Sequence, residues 1–387
     1  MIRISRLAIL WGLALFLAGC GDSSTGPEPV PDKIVAGVNF TELFAPPTAS
    51  EIDAVEEMWE TRDVAAHDIV TAASEAETFE GSAATVRVVS HEVVGVRHFG
   101  AIASPDDAAP GSLPILVYLH GGDEGEDLET VLSTLSYAFS GSLSGGVPDD
   151  FVYVVPSLRS ETLRYGGVVY QSEGQASPWD RDVDDALALL NVAIETTPAA
   201  DPSRIGVVGF SRGACVGMLM AIRDSRIDLV VEFFGPTDFF GTYVQTITEE
   251  ALLGHPRDLP GLTYLNENFI QPLKDSVLTY ASVRSAMLRR SPVYFVDRMP
   301  QLQVHHGTAD PVVEFSQAQR LIEVMLDAGY GEPEFQYYVY QGGVHNPFTL
   351  MGSVARGVAF IERLLTPALR KPGVTTVREL VAVSPTK

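Results

Sequence analysis

The stretch Arg204-Ile-Gly-Val-Val-Gly-Phe-Ser-Arg-Gly-Ala214 decides the fold. Its first seven residues form a short apolar run, which is typical of a buried strand, and residues 212–223 favour a helix. Ser211 lies between them in a Gly-x-Ser-x-Gly pattern, whose small residues allow a tight turn from strand to helix. Such a turn exposes the hydroxyl at the carboxyl end of the strand, so Ser211 is a candidate nucleophile.

Outward from this stretch, short apolar runs alternate with helical stretches. The runs that favour strands are residues 84–90, 93–103, 113–119, 151–156, 204–210, 229–234, 301–306 and 335–340. The first two are close in sequence and predict an antiparallel pair, whereas helices such as 180–196 and 314–328 separate later ones. We therefore expect an α/β fold with a mostly parallel, eight-stranded sheet covered by helices on both faces. Ligands bind such sheets at the carboxyl ends of the strands.

Two later strand ends carry the groups that a serine nucleophile needs. Asp310 follows the strand at 301–306, and His345 follows the strand at 335–340. A hydroxyl is activated by an adjacent base, and that base by an orienting acid. We predict that His345 is the general base and that Asp310 orients it. The alternatives are that Asp310 caps the helix at 314 and that His345 is an ordinary polar loop residue.

A third strand end predicts a site for the negative charge that develops in acyl transfer. The strand at 113–119 runs into His120-Gly121-Gly122. Backbone N–H groups in such a loop, together with the N–H that follows the nucleophile, form an oxyanion hole. We predict one donor at Gly121 or Gly122 and the other at Arg212; the alternative is a plain turn. Five acidic residues follow within 123–129, from which we expect a preference for neutral or cationic substrates.

Composition excludes several classes of function. The chain has 387 residues, 46% of them hydrophobic, and 50 acidic residues against 26 basic ones give a net charge of −24. Such a charge argues against nucleic-acid binding, and two cysteines are too few for a disulfide scaffold. His305 and His306 are neighbours on a strand and point to opposite faces, so they cannot easily share one metal ion, and we expect both to be structural. We expect Cys215 to be a buried packing residue.

The N-terminus has the pattern of an export signal. Arg3 and Arg6 precede an apolar run that ends in Leu17-Ala18-Gly19-Cys20. This ending resembles a bacterial lipobox and predicts a lipoprotein signal peptide at 1–19, lipidation of Cys20 and an extracytoplasmic, membrane-anchored protein. Asp22 is not adjacent to Cys20, which favours the outer membrane. The alternative is an ordinary signal peptide and a periplasmic protein.

The remaining chain divides into four further segments. We predict a flexible tether at 20–48, rich in Pro and turn formers, and an N-terminal helical extension at 49–83 with its helix at 51–80. The main domain spans 84–365 and includes an insertion at 239–290, for which a lid and ordinary helical core packing are the two alternatives. Residues 366–387 form a C-terminal tail.

Residues 84–365 resemble an α/β-hydrolase domain, in particular that of the prolyl oligopeptidase and dienelactone-hydrolase-like group. The similar motifs are Leu119-His-Gly-Gly122, Asp182-Val-Asp-Asp185, Asp201–Gly213, Ser291-Pro292, His306-Gly-Thr-Ala-Asp-Pro-Val312 and Gly342-Gly-Val-His345. The resemblance implies a Ser211 nucleophile, a covalent acyl-enzyme resolved by water, a small ester or short peptide as substrate, and no metal or organic cofactor.

The sequence departs from this group in three respects. Oligopeptidases usually carry a propeller domain, for which residues 21–83 are too few. Dienelactone hydrolases use a cysteine as nucleophile, whereas this chain has Ser211 at that position. Arg212 occupies a position where oligopeptidases often have an aromatic or amide residue. The overall expectation is a secreted, lipid-anchored serine hydrolase that cleaves an ester or amide bond. The alternatives are a carboxylesterase or acetyl esterase of the same fold and a binding lipoprotein on a non-catalytic scaffold.

Overall fold

The computed structural model describes residues 31–143, 145–259 and 261–366. The predicted signal peptide, Cys20, the first part of the tether and residues 367–387 of the tail lie outside the described residues. Across the described ranges, no helix combines the length and the apolar character that a membrane crossing requires.

Strands and helices alternate along most of the described chain. The strands are β1 Ile34–Val35, β2 Val38–Asn39, β3 His67–Phe79, β4 Ser82–Val93, β5 Val96–Pro105, β6 Leu113–Leu119, β7 Glu126–Asp127, β8 Val152–Pro156, β9 Thr162–Tyr165, β10 Val168–Gln171, β11 Ala200–Phe210, β12 Ile227–Phe233, β13 Gln301–Gly307 and β14 Phe335–Tyr340. The α-helices are α1 Phe40–Leu43, α2 Ala49–Glu60, α3 Leu128–Ser140, α4 Arg181–Thr196, α5 Arg212–Arg223, α6 Thr242–Leu252, α7 Leu262–Leu265, α8 Gln271–Lys274, α9 Tyr280–Leu288, α10 Ser316–Asp327 and α11 Ser353–Ile361.

The central sheet confirms the predicted α/β architecture. Within the described ranges its strand order is β14-β13-β12-β11-β6-β8-β5-β4-β3. The pairs from β14 to β8 are parallel, and those from β8 to β3 are antiparallel. Helices α4, α5 and α10 pack in the core on one face, and α3 and α11 pack on the other. The carboxyl ends of β6, β11, β13 and β14 therefore share one edge, where the predicted site residues lie.

The sheet has nine strands in the described residues, where the sequence predicts eight. The added strand is β3, so the helix predicted over 51–80 and the domain boundary at 84 are wrong. The helix α2 ends at Glu60, and residues 67–79 pair antiparallel with β4. Because β3 is an edge strand with mostly exposed side chains, it lacks the apolar alternation by which a half-buried strand is recognised.

Residues 33–48 are ordered, so the predicted tether is wrong over this part. Four apolar side chains of the segment are buried: Val35, Val38, Phe40 and Leu43. The segment also binds the insertion between β12 and β13. Its carbonyl groups at Leu43 and Ala45 accept hydrogen bonds from Arg284 on α9, at 3.0 and 2.8 Å. The residues that this segment contacts lie far from it in the sequence, so its local composition does not indicate that it is ordered.

The insertion predicted at 239–290 is helical and packs against the main domain. It contains α6, α7, α8 and α9, with a π-helical turn at Asn266–Ile270. Tyr243, Val244 and Ile247 of α6 form a small apolar cluster, against which Phe44 and Leu262 pack. The insertion therefore forms a wall beside the carboxyl edge of the sheet.

Candidate active site

Ser211 occupies a sharp turn between β11 and α5. Its backbone has φ 53° and ψ −116°, a strained conformation for a residue with a side chain. A Cβ on Gly209 would overlap the Gly213 backbone, and a Cβ on Gly213 would overlap the Leu119 carbonyl group. The Ser211 N–H donates to the Phe233 carbonyl oxygen at 2.8 Å. Close packing and this bond hold the serine in its strained position.

His345 and Asp310 are in contact. Nδ1 of His345 lies 2.8 Å from Oδ2 of Asp310. Because an ionised carboxylate can only accept, Nδ1 carries the proton and Nε2 is left as the basic nitrogen. Oδ1 of Asp310 accepts the N–H groups of Val312 and Val313 at 2.9 and 3.0 Å. Asp310 does not cap α10, which begins at Ser316 with no side-chain cap.

The surroundings of Asp310 keep it ionised. Burial alone would raise the pKa of this carboxyl group, but the bonds from His345 and from two backbone N–H groups outweigh it and lower the pKa below its usual range. His306 braces the same loop, because its Nε2 lies 2.9 Å from the Val313 carbonyl oxygen. The loop therefore holds a negative charge directly behind the imidazole of His345.

Gly121 and Gly122 lie beside the turn that carries Ser211. A Cβ on Gly121 would be 3.0 Å from the Cβ of Ser211, and Gly122 has φ +76°. In the part of the chain that the structure describes, no protein group accepts the N–H of Gly122 or that of Arg212. Both N–H groups are therefore available to a ligand near the Ser211 hydroxyl.

One cavity of about 350 Å³ brings most of the predicted residues together. Ser211, Arg212, Gly121, Gly122 and His345 all line it, while Asp310 lies behind His345. The other lining residues are mainly apolar: Trp179, Phe210, Phe234, Pro236, Phe239, Tyr243, Val244, Leu259, Leu262, Val312 and Val313. Several of them belong to the insertion, so the insertion shapes the space in front of the nucleophile.

The acidic residues at 123–129 do not line this cavity. The basis for the predicted preference for neutral or cationic substrates is therefore wrong in structural terms. Asp127 caps α3 by accepting the N–H of Thr130 at 2.9 Å, and Glu129 accepts the N–H of Gly166 at 2.9 Å. These carboxylates serve the local fold because helix N-termini and turn amides favour acidic partners.

Sequence reasoning missed a buried ionic cluster behind the oxyanion loop. The side chain of Arg212 pairs with Asp182, at 2.7 Å from Nε to Oδ2, and with Glu161. Glu161 also lies 3.0 Å from Nε2 of His120. We call Arg212, Asp182, Glu161 and His120 the buried ionic cluster; all four are less than 5% exposed. The sequence carried one sign of this cluster, which is the arginine directly after the nucleophile at the start of an apolar helix. A buried arginine needs acidic partners, so acidic side chains could have been expected beside it.

Two aromatic residues of the cavity were also missed. Phe234 has φ +46°, and its ring centroid lies 4.3 Å from that of His345. Trp179 has φ +62°, and its backbone N–H donates to Asp182 at 2.8 Å. Positive φ values at such residues are sterically costly and are often found at functional sites. No sequence pattern predicts them.

Other reactive side chains lie away from the cavity. Cys215 is fully buried on α5, and burial raises the pKa of its thiol well above its usual value. His305 is buried within the sheet and contacts Gln303 and Tyr340 at 2.8 Å each. Over the described ranges, no group of three or more His, Cys, Asp or Glu side chains is arranged to hold a metal ion.

Comparison with protein families gives one match. Residues 139–366, more than half of the chain, match the model of the prolyl oligopeptidase family. No curated protein is significantly similar to the chain in sequence.

Solved structures with the same fold include esterases and a peptidase. The acetyl xylan esterase 1 of a Thermoanaerobacterium species has a TM-score of 0.57 and 16% identity, over 84% of this chain and 99% of that one. The acetyl xylan esterase of Paenibacillus sp. R4 has a TM-score of 0.54 and 15% identity, with the same coverage. An acylaminoacyl peptidase of Pyrococcus horikoshii has a TM-score of 0.51 and 15% identity, over 81% of this chain and 44% of that one. At such identities the likeness shows the fold, which is that of the α/β-hydrolases.

Proposed function

Because this chain belongs to the prolyl oligopeptidase family and is a serine hydrolase, we propose that Ser211, His345 and Asp310 perform its chemistry. The observation that carries the proposal is that Ser211 and His345 line one cavity together with Gly122 and Arg212, whose backbone N–H groups have no acceptor among the described residues. A nucleophile, an oriented base and donors for an oxyanion are the three requirements of acyl transfer.

The proposed reaction has two steps. Nε2 of His345 accepts the proton of the Ser211 hydroxyl as its oxygen attacks the substrate carbonyl carbon, and the N–H groups of Gly122 and Arg212 stabilise the oxyanion. The imidazolium then protonates the leaving alcohol or amine, which leaves an acyl-enzyme on Ser211. Water, deprotonated by His345, attacks the acyl carbon, and collapse of the second oxyanion releases the acid and restores the serine.

The cavity favours an uncharged substrate. Its lining carries two groups that can be cationic, Arg212 and His345, and no carboxylate. The guanidinium of Arg212 is already paired with Asp182 and Glu161, so it offers no free charge to a substrate anion. A charged acyl or leaving group would lose its hydration in this apolar space without gaining a partner. We therefore propose neutral, largely apolar esters or amides as substrates.

The same observation favours a carboxylesterase as the second candidate function. A free peptide presents an ammonium group at one end, and the cavity lining contains no carboxylate to pair with it. An ester of a neutral acid and a neutral alcohol needs no such partner. The solved acetyl xylan esterases show that this fold supports ester cleavage in other proteins.

The test uses esters and anilides that share one neutral acyl group, with succinyl and aminoacyl versions as anionic and cationic controls. We expect turnover of the neutral ester, weaker turnover of both charged versions, and none by Ser211→Ala. Cleavage of the matched anilide at a comparable rate would favour a peptidase. Full turnover by Ser211→Ala would refute the proposed nucleophile, and silence of the wild type on all substrates would favour a binding lipoprotein.

We further propose that Cys20 is lipidated and that the protein is anchored to the outer membrane, facing away from the cytoplasm. The proposal is supported by the charged, apolar and small-residue regions at 1–19 that precede Cys20. Several acyl chains on one cysteine give stable attachment, whereas one chain gives marginal binding.

The anchor is tested by expressing the full chain in bacteria supplied with labelled palmitate. The wild type should be labelled and sediment with outer membranes, whereas Cys20→Ala should be unlabelled. Cys215→Ala is the matched control, because that thiol is buried, and it should label normally. A soluble, unlabelled wild type would instead indicate an ordinary signal peptide.

A further inference from the structure

The buried ionic cluster contacts the backbone of the oxyanion loop at two successive peptides. Nδ1 of His120 lies 2.9 Å from the carbonyl oxygen of Gly121. Nη1 of Arg212 lies 3.1 Å from the carbonyl oxygen of Gly122. Each of the two carbonyl groups therefore accepts from a nitrogen that belongs to the cluster.

The contacts of His120 fix the position of one ring proton. A carbonyl oxygen cannot donate, so Nδ1 must carry a proton, and Nε2 faces the Glu161 carboxylate at 3.0 Å. Burial alone would lower the pKa of His120, but the bond to Glu161 and the charges of Glu161 and Glu126 outweigh it and raise the pKa. The cluster therefore pairs two basic side chains with two acidic ones, as a buried ionic site requires.

Peptide geometry links these contacts to the predicted oxyanion donor. In a trans peptide the C=O and N–H groups point in opposite directions, and the peptides of this loop are trans. Since the Gly121 carbonyl points to the imidazole of His120, the N–H of Gly122 points away from the cluster. Gly121 and Gly122 line the cavity, so the side away from the cluster is the cavity side. A carbonyl group that accepts a hydrogen bond also polarises its peptide and strengthens the N–H of that peptide as a donor.

We propose that His120 and Arg212, bridged by Glu161, are positioning residues that fix the peptides of Gly121 and Gly122 so that the N–H of Gly122 faces the oxyanion. This inference rests on the proposed function of Ser211. Arg212 then has two roles, because its backbone N–H is one oxyanion donor while its side chain orients the loop that supplies the other. Asp182 holds the far edge of the guanidinium, with Nη2 to Oδ1 at 2.9 Å.

The test compares Arg212→Lys and Glu161→Gln with Arg159→Lys as the matched control. Arg159 also pairs with a buried carboxylate, that of Asp185 at 2.9 Å from Nε, and none of its hydrogen bonds or ion pairs to other described residues involves the oxyanion loop. A lysine ammonium is a compact charge without the planar fork of the guanidinium, so it cannot keep the two-pronged contact with Asp182 while it also reaches Glu161 and the Gly122 carbonyl. For each variant kcat, KM and the melting temperature are measured, together with inhibition by a trifluoromethyl ketone that matches the ester substrate.

We expect Arg212→Lys to lower kcat by about 10- to 100-fold, up to the loss seen when one oxyanion donor is removed. The KM should change less than threefold, and the affinity for the ketone, whose adduct with serine carries the oxyanion, should fall by the same factor as kcat. Glu161→Gln should show the same pattern to a smaller extent, and Arg159→Lys should lower only the melting temperature.

Three outcomes would overturn the inference while leaving the proposed function intact: unchanged kcat in folded Arg212→Lys and Glu161→Gln proteins, a fall in kcat without weaker ketone inhibition, or an equal effect in Arg159→Lys. Should Arg212→Lys not fold, Glu161→Gln carries the test. Loss of the proposed function is recognised separately, by turnover that persists in Ser211→Ala.

Discussion

Asp310→Asn separates the chemical role of Asp310 from its structural role. An asparagine can keep its side-chain oxygen toward the N–H groups of Val312 and Val313, so the loop should retain both bonds. Its amide nitrogen then faces Nδ1 of His345, where Asp310 now accepts at 2.8 Å. Because two donors cannot share this contact, Nδ1 must become the acceptor and the proton moves to Nε2. The imidazole then has no lone pair for the Ser211 proton.

The expected loss follows from this change of tautomer. In serine peptidases the corresponding substitution lowers kcat by about 10⁴, which is about 5 kcal/mol of transition-state stabilisation. The cost in stability should be smaller, about 1–3 kcal/mol, because one charge-assisted bond is lost and the two backbone bonds remain.

The assay is steady-state hydrolysis of the best ester, paired with urea unfolding of the same samples. Asp127→Asn is the control, because Asp127 also accepts a backbone N–H but lies outside the cavity; its kcat should be unchanged. A fall in kcat of less than tenfold in folded Asp310→Asn protein would show that the loop contacts, and not the tautomer of His345, are what Asp310 provides.

Three further predictions test the fold around the site. Burial raises the pKa of Glu232 from 4.5 to about 8, so the folded protein binds this proton more tightly than the unfolded chain does. The free energy of unfolding should therefore fall by up to about 5 kcal/mol as the pH rises from about 4.5 to about 8. Glu232→Gln has no proton to lose and can still accept the Gly235 N–H. The difference between its melting temperature and that of the wild type should therefore increase in favour of the variant from about pH 5 to pH 8. A difference that does not change with pH would contradict this prediction. Arg284→Ala should lower the free energy of unfolding by about 3 kcal/mol, because the carbonyl groups of Leu43 and Ala45 lose their hydrogen-bond donor. Residues 33–48 should also become sensitive to proteases. A change below about 0.5 kcal/mol in urea unfolding would refute this prediction. Gly213→Ala places a Cβ against the Leu119 carbonyl, so ester turnover and the melting temperature should both fall, and wild-type turnover would show that the turn can relax.

The elements that could be predicted from the sequence are those whose pattern of apolar residues lies within the element itself. The strand at 113–119 has the predicted bounds, and the predicted helix at 212–223 begins and ends as α5 does. Buried strands and the helices that cover them are dense in apolar residues, so their pattern survives without knowledge of the partners. Ser211, Asp310 and His345 follow the ends of such elements, and topology alone brings them to one edge of the sheet.

Elements that depend on distant partners were not predicted. Residues 67–79 carry alanine and glutamate, which favour a helix, yet they form β3 because β4 offers an unpaired edge. The buried ionic cluster joins Glu161, which follows β8, to Asp182 on α4 and Arg212 on α5. Asp182 belongs to a motif shared with the family and Glu161 to no recognised pattern, so only the folded chain shows that both acids pair with one guanidinium.

The packing of residues 33–48 on the insertion bears on where a shortened form of this protein should begin. Phe44 packs against the apolar cluster of α6, two of whose members, Tyr243 and Val244, line the cavity. Lys33 pairs with Glu249 near the other end of the same helix. A truncation at residue 49 or 84, where sequence-based boundaries would fall, removes this support from the cavity wall. A recombinant protein that starts between residues 21 and 32 keeps this support.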